Sequence, residues 1–447
     1  MPPPRFPSRI DPLSFPVFGI TWWSEPADGG RSIYAYCGGG GSAKTGVNNS
    51  VVIFGERHGP RQISCGEKVG VGLKIYQNPI SNKIWLMVAL GSEVRRYPID
   101  DPEMEEDSEV FESIEMGEES CVAVAANSMA SRIALGCESG KVILFETSDE
   151  HFATGEPIAV LTKHEKSVCA LDFASRTVGR LISSAKDGTA CISDDGKFVG
   201  GLRCSVTDPS QPPPKRAPQI MVRGCAFGDM EGKFCYTVAS ARRGKAYLAQ
   251  WEERADPETG TARFQCVSKV DCSDVPISAM SLSADLSLLA LGSVEGTIIL
   301  WGVENWKPIK SFREVHHLPV TCIAARPFYS IPGFLQGEED GIMIHARSAS
   351  ADSQLGCLTA QRRAKRKQKP GMGDDSPFFS CSNLMKLIYR LILLWIIFLI
   401  LTPVAYEAQE KCSAVFQLEG VLSLPECLLH EVLYAPSWRP GVMSPPY

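Results

Sequence analysis

The sequence lacks the patterns that hold a structural metal. Its 16 cysteines are spread over 447 residues. They include no CxxC pair and no Cys/His cluster at zinc spacing. Most sit in strand-like surroundings such as SVCALDF and FCYTVAS, where free cysteine behaves as a small buried hydrophobe. A reducing compartment suits such a chain better than a disulfide framework does. An excess of positive charge is also missing. The net charge of −6 gives no reason to expect nucleic acid as a partner. No Ser-His-Asp set or carboxylate pair can be picked out, so neither a hydrolytic enzyme nor a small-molecule substrate is indicated. The opening MPPPRFPSRIDPLSF has no apolar core of signal-peptide length. No convincing amphipathic helix of about 12 residues occurs before residue 384.

What is present, from residue 30 to 350, is a series of short strands rich in β-branched and aromatic residues, separated by turn signals. SVVIF, KIWLMVAL, RIALGC, KVILFE, SLLALGS and TIILWGV are examples. Three segments align as strand, turn, strand: Ser131 to Glu146, Gly179 to Asp194, and Ser287 to Gly302. Each turn carries an acidic residue followed by glycine, directly or after one residue. KHEKSVCALDFAS precedes one such unit and VHHLPVTCIAARP begins another. A histidine, a short gap, an alternating strand and then paired strands make the WD-repeat unit of a β-propeller. The signature is degenerate, with closing aromatics only at Trp251 and Trp301. Counting units gives six to seven blades. Closure is expected from FPVFGITWW and SIYAYCGG sharing a blade with strands near Ile342 to Ala346, which removes the open sheet edge. His164, His316 and His317 sit near blade starts and read as hydrogen-bonding groups within the blades. The acidic stretch Asp100 to Glu119 reads as a solvated loop between blades. Thr207 to Pro218 reads as a proline-rich loop.

Near the other end, Leu387 to Tyr406 forms an apolar run of about 20 residues, enough to cross a bilayer core of about 30 Å. Lys386 and Arg390 can snorkel at its first end. The basic segment RRAKRKQK (Arg362 to Lys369) lies just upstream, so the positive-inside rule places the long N-terminal part in the cytosol. A buried core helix is the alternative. The expected organisation is a cytosolic propeller over 1–350 and a basic stalk over 351–386. A single transmembrane helix over 387–406 and a lumenal tail over 407–447 follow. The short span suits a thin membrane such as the endoplasmic reticulum. Cys412 and Cys427 can pair in an oxidising lumen.

One stretch stands apart: CGGGGSAKTGVNNSVVIF, Cys37 to Phe54. A phosphate-binding P-loop needs a glycine directly before its lysine and a helix after it. Here Ala43 precedes Lys44, and a β-branched strand follows, so the helix N-terminus that completes such a site is missing. Four glycines do tolerate positive φ. The carbonyls of Gly38, Gly39, Gly40 and Gly41 can then turn toward one point, an arrangement suited to a weakly held monovalent cation. From composition alone, a slack glycine loop is the favoured reading.

The segment GGGGSAKTGVNN before a strand, near the start of a degenerate propeller with one C-terminal anchor, resembles a known family. These are the endoplasmic-reticulum exchange factors for the small GTPase that initiates COPII coat assembly, the prolactin regulatory element-binding protein family. Gly38 to Gly41, Gly46, Val47 and Asn49 match the family motif, while Asn48 stands where family members often carry proline. The resemblance implies an all-β, seven-bladed WD-repeat propeller followed by a single transmembrane helix. It also implies a loop held by potassium, with Asn49 as the exchange residue that contacts the GTPase. Lys44, Thr45, Gly46, Val47 and Asn48 would add contact area. The chain would then be no covalent catalyst but a promoter of GDP release at the endoplasmic-reticulum membrane. The rival reading is an anchored propeller that assists cargo exit or scaffolds a complex without exchanging nucleotide.

Overall fold

The computed structural model describes residues 9–24, 32–41, 46–55, 60–99, 111–205, 219–255, 262–325 and 342–362. Within them the chain is all β, with 28 strands in seven four-stranded sheets. Each sheet is one blade of a propeller. The first strand, β1 (Arg9–Pro12), is the outermost strand of the last blade. Blade 1 consists of β2 (Val17–Ser24), β3 (Ser32–Gly38), β4 (Asn49–Gly55) and β5 (Arg61–Gly66). Blade 2 starts at β6 (Gly72–Gln77) and ends at β9 (Glu112–Glu115). The inner strands of blades 3 and 4 are β10 (Cys121–Ala126) and β14 (Val168–Phe173). Blade 5 opens with β18 (Ile220–Phe227) and β19 (Phe234–Ala241), and blade 6 with β22 (Ile277–Leu282) and β23 (Leu288–Ser293). Blade 7 comprises β26 (Val320–Ala325), β27 (Ile342–Ser350), β28 (Gln354–Arg362) and β1.

The seven inner strands β2, β6, β10, β14, β18, β22 and β26 pack in a closed ring. They run in the same direction, because hydroxyls near their starts reach the starts of their neighbours. Ser278 Oγ donates to Val320 O at 2.7 Å, and Thr321 Oγ1 donates to Val17 O at 2.6 Å. Alternation along each strand sends every second side chain to the face that meets the next blade. Between blades 1 and 2, Ile33, Ala35, Val51 and Ile53 meet Leu73, Ile75, Leu86 and Val88. Burying each large aliphatic chain contributes about 1.5–3 kcal/mol.

Closure of the ring differs from the sequence expectation in the identity of the strand. FPVFGITWW and SIYAYCGG form β2 and β3 of blade 1, not part of blade 7. The strand that closes the propeller is β1, with Ile10 opposite Gly356 and Asp11 opposite Leu355. It has only four residues, too few for alternation to announce it. Phe15, Val17, Tyr36 and Val52 then pack with Ala324, Ala349 and Leu355 across the seam. The last propeller strand, β28, lies beyond residue 350. Glu112 to Glu115, read as loop, is the outer strand of blade 2. Arg96 explains why an acidic segment is retained there. Its buried guanidinium pairs with Glu112 and stacks on Trp85 at 4.0 Å.

The chain divides into two units, Met1–Arg366 and Lys367–Tyr447. The second unit lies outside the described residues, and with it the span 387–406, the tail 407–447, Cys412 and Cys427. The proline-rich segment 207–218 and residues 100–110 also lie outside them. The thirteen cysteines among the described residues are all free. Burial pushes their thiols up, for example Cys65 to about 11 and Cys322 to about 12, and those in the core serve as apolar filler.

Candidate functional site

One hairpin is unlike its six counterparts. In each blade the second and third strands are joined at the end of the ring where the inner strands begin. Six of these joins are tight turns of three or four residues, at 90–92, 138–141, 186–188, 242–245, 294–297 and 351–353. The join between β3 and β4 takes ten residues, 39–48. It is the glycine stretch, so the segment singled out by composition is also the one long join among the seven at this position.

Its base is shaped by steric exclusion. Gly38 is still a strand residue, opposite Val17 on one side and Ser50 on the other. A Cβ there would overlap the carbonyl oxygen of Pro16. Gly39 has a φ of 144°, and a Cβ on it would lie 2.5 Å from the Cα of Asn49. Its amide donates to Pro16 O at 3.0 Å. Gly41 and Gly46 have φ values of 78° and 74°, the left-handed region in which glycine carries no Cβ penalty.

Asn49 organises this base. Its side-chain Oδ1 accepts from the Gly41 amide at 2.9 Å. Its Nδ2 donates to Gly41 O at 3.2 Å and to Gly66 O at 3.0 Å. One amide therefore ties the start of the hairpin to its end and to the last strand of the blade. Asn49 is 3% exposed. The sequence reading gave it a surface contact, whereas the structure buries it under the loop with its amide occupied. Gly46 and Asn48 are exposed, and Val47 is half-buried against the seam between blades 1 and 7. Lys44 and Thr45 lie outside the described residues.

The linker to blade 2 supports the hairpin from the side. Val69 approaches Gly41, where an added Cβ would meet its Cγ2 at 3.8 Å. Next to it, Glu93 binds Lys68 at 2.6 Å and Arg95 at 2.7 Å. Burial pushes the Glu93 carboxyl up, but hydrogen bonds from Arg95 and Lys68 outweigh it and leave the pKa below its usual value. The carboxylate stays ionised and holds the linker. No local sequence signal points to Pro16, Gly66 or Val69, because two of them act through backbone carbonyls.

Of the four glycines expected to cage potassium, Gly38 and Gly41 have backbone partners within the blade. Gly38 lies in a ladder paired on both sides, which aims its peptide groups at neighbouring strands. The carbonyl of Gly41 is bound by Asn49. A carbonyl oxygen that accepts one hydrogen bond keeps a second lone pair for an ion; among the described residues no His, Cys, Asp or Glu cluster suits a metal. The bracing role falls to a side-chain amide.

The histidines have structural partners. His164 Nε2 lies 2.8 Å from Ser183 Oγ and Nδ1 lies 2.9 Å from Thr189 Oγ1, with Asp187 behind them. His316 repeats the pattern in blade 7, with Nε2 2.9 Å from Ser348 Oγ and Nδ1 3.3 Å from Asp352 Oδ1. These sets link the turn between the second and third strands to the start of a blade, as the WD-repeat pattern requires. His317 is exposed and contributes its backbone amide to Asp352. Comparison with protein-family models gave no match, and comparison with curated proteins gave none either.

Proposed function

We propose that the chain is a guanine-nucleotide exchange factor for the small GTPase that initiates COPII coat assembly, acting at the endoplasmic-reticulum membrane. The observation that carries this reading is the single ten-residue hairpin, 39–48, among six short ones, held at its base by Asn49. A loop fixed at its root can press on a partner without losing its order, so less binding energy goes into ordering it. The exposed Gly46 and Asn48, with Lys44 and Thr45 beside them in the sequence, supply the contact. Asn49 acts through the loop as a positioning residue. The wide apolar seams between blades give the loop a rigid platform.

Exchange by such a loop needs no covalent chemistry. The propeller binds the GTPase more tightly when its nucleotide site is open than when GDP fills it, and this differential affinity shifts the population. Each tenfold gain in release rate corresponds to a barrier lower by about 1.4 kcal/mol. A membrane anchor at 387–406 would confine the activated GTPase to one membrane by raising its local concentration.

The test is release of a fluorescent GDP analogue from that GTPase, using the full chain in detergent. Acceleration by at least about tenfold is expected, with loss of the effect when residues 39–48 are replaced by a two-residue Asn-Gly turn. No acceleration, or acceleration that survives the shortened hairpin, overturns the reading.

A further inference from the structure

A cavity of about 400 Å³ lies between blades 5 and 6, at the end of the ring that also carries the glycine hairpin. Its walls come from the starts of the inner strands β18 and β22 and the ends of β19 and β23. Two arginines line it, Arg223 on β18 and Arg242 just after β19, together with Gln219 and Ser240. Met221 and Ile277 provide apolar surface.

Three observations point to a ligand. Ser240 is 1% exposed, yet its Oγ has no hydrogen-bond partner among the described residues. A buried hydroxyl left unpaired costs about 1–3 kcal/mol, so its placement in the wall of a cavity is informative. Among the described residues neither arginine belongs to an ion pair, and the partners of Arg223 are weak sulfur acceptors, the Met221 thioether at 3.4 Å from Nη2 and the Cys169 thiol. The nearby acids Asp271 and Asp274 are engaged by Lys245, at 2.5 and 3.7 Å. The cavity therefore combines two cations, a hydroxyl and an amide with the apolar surface of Met221, Pro276, Ile277 and Val294.

We propose that this cavity binds a small molecule with an oxyanion, phosphate or carboxylate, attached to a compact apolar body. Guanidinium groups recognise both oxyanions in a two-pronged fashion. The Ser240 hydroxyl and the Gln219 amide offer further donors. The volume lies in the range of small-ligand sites. The inference is independent of the exchange reading, because it uses blades 5 and 6 rather than the hairpin of blade 1.

Isothermal titration of the full chain in detergent tests it, with phenyl phosphate, benzoate and neutral benzyl alcohol as probes. Saturable binding of one equivalent of either anion is expected, without binding of benzyl alcohol. The anion that binds identifies the oxyanion class. Arg242→Gln, at an exposed hairpin position, should weaken binding by about tenfold or more, and so should Arg223→Gln. Ser240→Ala should weaken it about threefold. Arg243→Gln, one residue along the hairpin and outside the cavity wall, should leave affinity unchanged, and thermal melting checks that each variant is folded. Failure of both anions to saturate, equal binding of benzyl alcohol, or undiminished binding by the folded Arg242→Gln variant overturns the proposal.

Discussion

Asn49 holds Gly41 by both of its backbone groups: the side-chain Oδ1 accepts from the Gly41 amide at 2.9 Å and Nδ2 donates to the Gly41 carbonyl at 3.2 Å. Replacing Asn49 by Ala removes these bonds and the one to Gly66 O, leaving backbone groups without partners. The cost is about 1–3 kcal/mol, concentrated on the hairpin because the rest of blade 1 keeps its ladder. The expected outcome is faster amide hydrogen exchange at Gly41 and slower GDP release from the GTPase, with a folded propeller. Release that falls while Gly41 exchange stays at the wild-type rate would mean that Asn49 acts by direct contact instead.

Two glycines of the same hairpin separate steric need from backbone need. Gly39 has positive φ and no room for a Cβ beside Asn49, while Gly46 has positive φ but open space around it. Gly46→Ala therefore incurs only the left-handed penalty, about 1 kcal/mol. Gly39→Ala must also push Asn49 out of place. The melting temperature and the release rate should both fall further in Gly39→Ala than in Gly46→Ala. Equal effects would indicate that the Gly39–Asn49 contact does not shape the loop.

The blade repeats were legible because paired strands with a tight turn leave a strong local pattern. Ser131 to Glu146 and Ser287 to Gly302 each form a hairpin in the expected place. Ring closure was legible in kind but not in detail, since β1 is short and its partner lies more than three hundred residues away in the chain. The glycine stretch was visible as a loop. Its bracing was not, because Asn49 meets Gly41 and Gly66 through backbone groups whose positions depend on the completed blade. Composition suggested an ion and did not reveal the side-chain amide that braces the base.

The amide brace leads to a prediction about monovalent cations. Four glycine carbonyls around potassium would make loop order depend on that ion, whereas Asn49 is part of the chain and is present in any buffer. Exchange of potassium for choline at constant ionic strength should change GDP release, corrected for the GTPase alone, by less than about twofold. Hydrogen exchange at Gly41 should likewise be unaffected. Loss of protection at Gly41 in choline, restored by potassium, would reinstate the ion.

Acid should loosen the ring through the buried His164 and His316. Burial lowers the pKa of His164 below its ordinary 6.5, although Asp187 opposes the shift. Burial lowers that of His316 in the same way, against Asp352. Above pH 6.5 both forms of the chain carry these rings neutral, and the full contribution to stability is present. As pH falls below 6.5 the unfolded chain takes up protons first, so stability declines until the folded-state pKa values are passed. Asp187 adds a second loss at lower pH. Burial pushes its carboxyl up, but bonds from Thr189 and Glu165 and the proximity of His164 leave it below its usual value. The melting temperature should therefore drop between pH 7.5 and 5.5, and the drop should shrink in His164→Gln and His316→Gln. Gln keeps a polar group near Ser183 or Ser348 but cannot titrate, so an unchanged pH slope in both variants would assign the acid sensitivity to other groups.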